Sequence, residues 1–221
     1  DADGISDGNV ETRYNTAINL HAGNVGKIYG GGFEGPVTGH TTVNLVGGTA
    51  YDVIGGACNS DIDEYAETYV GTAGAATIPT ITNNIYGGND FGGQIKGTKD
   101  CADRVSTTAA DKTYSNTLLR AGAYVEYIKG KANYIFGGAK AAYDYKDQTL
   151  YSAYADTDGK AIGNFVKPFL GNAFVNFRPV YNEASSVTRI YGGGQGYYNE
   201  IDKDLLQDNS YVLIDIDRKS T

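Results

Sequence analysis

Residues 41–56, TTVNLVGGTAYDVIGG, align without a gap on residues 123–138, AYVEYIKGKANYIFGG. Each stretch opens on alternating apolar and polar residues, passes a short bend, and closes on a β-branched residue, an apolar residue and two glycines. The closing signature recurs as IYGG at 28–31, VIGG at 53–56, IYGG at 85–88, IFGG at 135–138 and IYGG at 190–193. The gaps between signatures are 25, 32, 50 and 55 residues, which reads as one repeating unit with insertions. Upstream stand TAINL, TTVNL, AYVEY and AFVNF, and Ile18, Val43 and Val125 each precede the next signature by ten residues. Val70, Val175 and Val212 are assigned to the same upstream position. A weaker third apolar position follows each signature, at Val37, Ile62, Ile95 and Ile201, with Tyr145 as the fourth member.

Alternation over three to five residues is a strand signal, and the runs are too short for a helix of period 3.6. Glycine at the bends permits backbone angles and close approaches that a side chain forbids. The expected fold is an all-β, right-handed, single-stranded parallel β-helix of about five turns, each of three short strands. In that arrangement Ile28, Val53, Ile85, Ile135 and Ile190 form one inward column. The next residues, Tyr29, Ile54, Tyr86, Phe136 and Tyr191, form a largely aromatic ladder at the corner. Lys27, Asp52, Asn84, Tyr134 and Arg189 point outward, with Lys27 and Asp52 as a surface ion pair. Asn19, Asn44 and Asn176 recur at a position suited to hydrogen bonding along the stack.

The chain is read as a single domain, residues 1–221, with two insertions at 99–120 and 147–171. The first has the makings of a short helix. Together they would form a side lobe carrying Tyr114, Tyr151 and Tyr154, either as a binding surface or as surface decoration.

Glycine, at 31 residues, is about twice its usual share, without the every-third spacing of collagen. Tyrosine stands at 19, tryptophan and methionine are missing, and 41% apolar residues are ample for a core. The net charge of -8 argues against a nucleic-acid or anionic-membrane surface, and no basic cluster stands out along the sequence. No apolar run reaches membrane-spanning length. The opening DADGISDGN carries no start methionine, so the chain is expected to be a piece of a longer, exported protein.

The pattern IYGGG followed by GPVTGHTTVNLVGGTAYDVIGG resembles the glycine-rich parallel β-helical repeats of large bacterial cell-surface and adhesin-like proteins. The resemblance covers nearly the whole chain outside the insertions. It implies a secreted or cell-surface module that presents a binding surface to a glycan or to a host or neighbour-cell protein. The alternatives are a β-helical polysaccharide lyase or glycoside hydrolase, and a purely structural spacer.

The glycine clusters lack the GxxxxGK[ST] order, so they are not read as phosphate loops. Asp1, Asp3 and Asp7 surround Gly4 and suggest Ca2+, against a reading as solvated turn carboxylates. Asp61, Asp63 and Glu64 form a weaker acidic group. Cys58 and Cys101 are candidates for a disulfide pinning the first insertion. Candidate acids for catalysis, Asp100 and Asp103 with Arg104, or Asp156 and Asp158, fall outside the regular strands. His21 and His40 lie in different bends, and no GxSxG elbow occurs. The chain is therefore read as a non-enzyme without an obligate cofactor. End-to-end self-association through open strand edges is a further expectation.

Overall fold

The computed structural model describes residues 13–101, 120–142, 168–180, 185–196 and 210–214. In chain order the strands are β1 (Thr16–Leu20), β2 (Asn24–Tyr29), β3 (Thr41–Leu45), β4 (Thr49–Ile54), β5 (Ala66–Val70), β6 (Thr80–Ile81), β7 (Asn84–Tyr86) and β8 (Gln94–Ile95). They continue with β9 (Lys99–Asp100), β10 (Arg120–Ala121), β11 (Ala123–Tyr127), β12 (Lys131–Phe136), β13 (Phe169–Leu170), β14 (Ala173–Phe177), β15 (Ser186–Tyr191) and β16 (Ser210–Ile214). The fold is all-β among the described residues.

Two large parallel sheets dominate. The first has the order β1-β3-β5-β11-β14-β16, and the second runs β15-β12-β6-β4-β2, with β7 pairing β12 and β4. The register matches Ile18 to Val43, Val125 to Val175 and Val175 to Val212 in the first sheet. In the second it matches Ile28 to Val53, Val53 to Ile85, Ile85 to Ile135 and Ile135 to Ile190. Val43, Leu45, Val70, Val125, Tyr127 and Val175 from one sheet meet Ile28, Val53, Ile81, Ile85 and Ile135 from the other in the main core. Each such side chain contributes about 1.5–3 kcal/mol when fully buried.

The expected uniform three-strand solenoid is corrected. Successive strands of the first sheet begin at Thr16, Thr41, Ala66, Ala123, Ala173 and Ser210, offsets of 25, 25, 57, 50 and 37 residues. In the second sheet β6 and β7 together take the place of one strand. The third side is reduced to single bridges, Val37 to Ile62 and Ile62 to Ile95, and the two-residue pair of β8 with β13. One or two residues of pairing at each step cannot make a third sheet face comparable with the other two. What forms is a compact domain of two irregular parallel sheets, with Val37, Ile62, Ile95 and Leu170 packing a second, smaller core against Ala57, Ala66, Ala123, Ala139 and Ala173. Leu170, paired with Ile95, takes the place assigned to Tyr145, which lies outside the described residues, as does Ile201.

The upstream column also differs at one position. Val43 and Val125 align with Thr68, whereas Val70 aligns with Leu45 and Tyr127. The apolar pattern alone points to Val70, whereas backbone pairing puts the polar Thr68 in the row. The Thr68 hydroxyl is buried without a hydrogen-bond partner. By contrast, the Thr16 and Thr41 hydroxyls donate to the carbonyls of Gly30 (2.6 Å) and Gly55 (2.7 Å), tying the first sheet to the bends.

The diglycine bends owe their composition to close backbone approach. A Cβ on Gly30 would lie 2.0 Å from the Gly55 carbonyl oxygen, and one on Gly87 would lie 2.3 Å from that of Gly137. The Gly30 amide donates to Ile54 O at 2.9 Å, that of Gly55 to Tyr86 O at 2.8 Å, and that of Gly87 to Phe136 O at 2.9 Å. These N–H groups serve strand pairing and are not presented to an anion.

The first insertion leaves and returns at a common base, because β9 pairs antiparallel with β10. The helix expected there, the lobe tyrosines Tyr114, Tyr151 and Tyr154, and Asp103, Arg104, Asp156 and Asp158 lie outside the described residues.

Two stability measurements test this account. Thr68→Val removes an unpartnered buried hydroxyl and is expected to raise the unfolding free energy by about 1 kcal/mol in urea denaturation. Gly87→Ala forces a methyl against a carbonyl and is expected to lower it by ~1–3 kcal/mol, while Gly26→Ala, with open space at its Cβ, leaves it nearly unchanged.

Candidate functional site

Beyond the diglycines at 87–88, 137–138 and 192–193, the side chains of Asp90, Lys140 and Gln195 reach outward residues of the second sheet. The outward rows of that sheet follow from alternation: Lys27, Asp52, Asn84, Tyr134 and Arg189 each precede an inward aliphatic. Asp90 and Lys140, from the segments after β7 and β12, close over them. The result is a buried polar centre where the sheet face meets the bends.

Asp52 is buried and accepts hydrogen bonds from Asn83 Nδ2 (2.8 Å) and from the Asn84 amide (3.2 Å). Lys140 Nζ lies 3.4 Å from Asp52 Oδ2 and 3.8 Å from Asp90 Oδ1, so one ammonium bridges two buried carboxylates. Lys27 Nζ stands 3.7 Å from Asp90 Oδ2, and the Tyr29 hydroxyl donates to the same oxygen at 2.7 Å. The expected surface pair of Lys27 with Asp52 is thereby corrected: Lys27 serves Asp90, and Asp52 is interior. The signal that would have found this is the aspartate two residues after Gly-Gly in YGGND, which one-dimensional alternation does not place.

Tyr86 anchors the centre from below. Asn84 Nδ2 donates to its hydroxyl at 2.9 Å, and the hydroxyl donates to Gln195 Oε1 at 2.7 Å. Lys140 Nζ also stands 5.7 Å from the Tyr86 ring centroid. Burial pushes the Tyr86 phenol up to about 12; Asn84's hydrogen bond works the other way, and the charges of Asp52 and Asp90 add to the rise. Burial, then Asp90, likewise raises the Tyr29 phenol, which stays protonated as a donor. Ala141, directly after Lys140, takes a left-handed backbone at φ 43°, held by its amide hydrogen bond to Asp90 O at 2.9 Å. Such a conformation in a residue bearing a side chain costs of order 1–3 kcal/mol, and here it aims the lysine inward.

The aromatic ladder packs around this centre. Tyr86 stacks on Phe136 at 5.1 Å between centroids, and Phe136 on Tyr191 at 4.8 Å. Tyr29 packs against the same cluster at its other end.

Polar groups are matched on the outer face of the first sheet as well. Glu67 accepts from Thr42 and Tyr69, both at 2.9 Å, and pairs with Lys99 at 2.6 Å. Burial raises the Glu67 carboxyl, but Lys99, Tyr69 and Thr42 more than offset it and hold it below the usual range. Glu126 is gripped by Arg178 and by the Tyr124 hydroxyl at 3.1 Å. Asn44 donates to Asn19 Oδ1 at 2.8 Å along the sheet, whereas Asn176 turns to the Tyr124 hydroxyl at 3.1 Å.

The remaining candidates separate. Asp1, Asp3 and Asp7 lie outside the described residues. Asp61 and Asp63 each receive Lys96 Nζ at 2.9 Å, and Glu64 is taken by Arg13 and by His40 Nδ1 at 3.1 Å. An acidic group already neutralised by its own lysine and arginine gives calcium no basis there. Cys58 and Cys101 are both buried, and no disulfide joins them. Cys101 packs with Ala121, Tyr124 and Phe174, while Cys58 sits beside Tyr29. His21 is exposed, and His40 stacks on Tyr65 at 4.7 Å. No helix among the described residues is long and apolar enough to cross a membrane.

No protein-family model matches this chain, and no curated protein or solved structure matches it either. The resemblance to β-helical repeats of bacterial surface proteins does not hold up: the domain is compact, its two sheets are irregular, and its outer faces carry buried polar networks. Display from an extended adhesive stalk is corrected on the same ground. The β-helical lyase, hydrolase and spacer alternatives rested on the same uniform solenoid, and so did carbohydrate binding.

The polar centre has a measurable role in stability. Lys140→Met leaves Asp52 and Asp90 buried without their shared cation and is expected to cost about 3–5 kcal/mol in denaturant unfolding. Lys96→Met, which removes an exposed partner of Asp61 and Asp63, is expected to cost no more than about 1 kcal/mol.

Proposed function

We propose that this domain is a non-enzymatic assembly module that binds a second copy of itself by continuing its two parallel sheets. The observation that carries the reading is the exposure of inward-facing side chains at one end. Val212 and Ile214 on β16 are 38% and 58% exposed, whereas Val175, the register partner of Val212, is 0% exposed. On the second sheet Tyr191 of β15, which faces outward beside the inward Ile190, is likewise uncovered at 38% exposure, against 6% for its partner Phe136.

The opposite end is complementary. There β1 and β2 are the outer strands among the described residues, and Tyr14, Val25 and Phe33 are exposed. Each edge of a parallel sheet presents a row of unpaired amides and carbonyls, which the opposite edge of a second copy can pair in the same parallel sense. A second copy placed end to end would set Ile18 and Leu20 on the rows of Val212 and Ile214, and Ile28 and Tyr29 on those of Ile190 and Tyr191. Each row would then continue with the residue type it already contains. Burying such aliphatics is worth up to about 1.5–3 kcal/mol apiece, before the cost of association. A contact between two different ends is heterologous and leaves each pair with open ends. The charge of -8 on each copy opposes the approach at neutral pH, so added salt favours it.

Sedimentation velocity tests the reading. The mass is expected to grow with protein concentration and with ionic strength. Ile214→Lys and Val25→Lys each block one end and are expected to be monomeric alone. Mixed together, they are expected to form a dimer that grows no further, because one retains each intact end. Wild-type protein that stays monomeric at every concentration and salt level overturns the proposal. So does an assembling wild type whose two end variants fail to complement.

A further inference from the structure

We infer that the outer face of the second sheet is a docking surface for an acidic, extended peptide segment of a partner protein. The inference rests on outward side chains and not on strand pairing, and because Lys27, Arg189 and Tyr191 stand on the edge strands β2 and β15, it is tested on protein whose end-to-end contact is blocked.

Charge is the first support. The chain as a whole carries -8, yet among the described residues the exposed charged side chains that the strands of this sheet turn outward are Lys27, Lys131 and Arg189. Lys27, Lys131 and Arg189 directly precede the inward residues Ile28, Ala132 and Ile190, so alternation turns all three outward. The acids in this region, Asp52 and Asp90, are 1% and 2% exposed and are answered by Lys140 from within. The buried centre therefore removes negative charge from the surface and leaves Lys131 and Arg189 in view, with Lys27 exposed at the rim while paired to Asp90.

Aromatic surface is the second support. Tyr51, next to the inward Ala50, is 54% exposed. Tyr134 and Tyr191 meet edge to face at 6.1 Å, and the Arg189 guanidinium lies 5.6 Å from the Tyr134 ring centroid. Arg189 is thus held in place by a ring before any partner arrives, and rigid tyrosines supply contact area at low entropic cost.

Spacing is the third. From Lys27 on β2 to Arg189 on β15 the path crosses four strand intervals, β2 to β4 to β7 to β12 to β15. That is roughly 19 Å, and because Asp52 and Asn84 between them are enclosed, a peptide that reaches both cations passes over Asp90 and Lys140 and needs at least about six extended residues. The fitting segment carries acids near both ends and apolar or aromatic residues between them. A polyphosphate chain fits less well, because its affinity comes from many closely spaced cations in a positive field, and this domain is acidic overall.

The test uses the Ile214→Lys protein, so that self-association does not enter. A fluorescent peptide of sequence EDLYLDE is titrated and read by anisotropy, beside KRLYLRK and a single-stranded oligothymidylate. EDLYLDE is expected to bind, with affinity falling as salt rises. Arg189→Glu and Tyr134→Ala are each expected to weaken it about tenfold or more. Lys96→Glu, on the Asp61 and Asp63 side, is expected to change it little. Equal binding of EDLYLDE and KRLYLRK overturns the inference, as does unchanged binding by Arg189→Glu. Binding of the oligothymidylate in place of EDLYLDE assigns the face to nucleic acid and overturns it too. Circular dichroism of each variant shows whether it is folded. Should Tyr134→Ala unfold, Arg189→Glu, altered at a fully exposed side chain, decides alone.

Discussion

Parallel strand register, enforced by carbonyl-to-glycine contact at the bends, is the constraint on which the rest of this structure depends. Gly30, Gly55, Gly87 and Gly137 each lie so close to the next carbonyl that no side chain fits, and their amides complete the pairing. With the bends in register, Ile28, Val53, Ile85, Ile135 and Ile190 lie beside one another, and so do Val43, Thr68, Val125 and Val175. The core between the sheets follows from those two rows. Neither row can be buried by a single strand pair, so stability is shared among neighbours along each sheet.

The same register explains why so much polar chemistry is buried outside that core. In the middle of the second sheet the outward Asp52 and Asn84 are buried where Asp90 and Lys140 follow the bends. Asp52 and Asp90 are therefore enclosed and must be matched, which Lys140, Lys27, Tyr29 and Asn83 do. On the other sheet Glu67 and Glu126 are matched in the same way by Lys99 and Arg178. Buried ion pairs of this sort add little net stability but penalise any arrangement that separates the partners. They favour one register over its neighbours.

These two layers of organisation place the two proposed contacts. The apolar rows run on to the ends of both sheets, where β16 and β15 leave Val212, Ile214 and Tyr191 partly uncovered. The polar layer instead gives one sheet face its character, because burying the acids leaves lysine, arginine and tyrosine outermost. One contact extends the backbone pairing and the other reads side chains, although both draw on the edge strands β2 and β15.

The sequence by itself determined the all-β class, the positions of the bends and most of the two aliphatic rows, because β-branched residues against paired glycines carry a local signal. Alternation also located the ladder of Tyr29, Tyr86, Phe136 and Tyr191. It missed Thr68, whose place in the inward row is set by pairing with Val43 and Val125 and not by its own polarity. It also predicted a uniform third strand where the structure has only bridges, since an isolated apolar residue such as Val37 or Ile62 says nothing about how much backbone pairs beside it. Only the tertiary structure decided that Asp90 and Lys140 would meet Asp52, and that Lys27, Lys131 and Arg189 would share one surface. Their separation along the chain hides a cluster that forms because register, and not sequence distance, sets which side chains become neighbours.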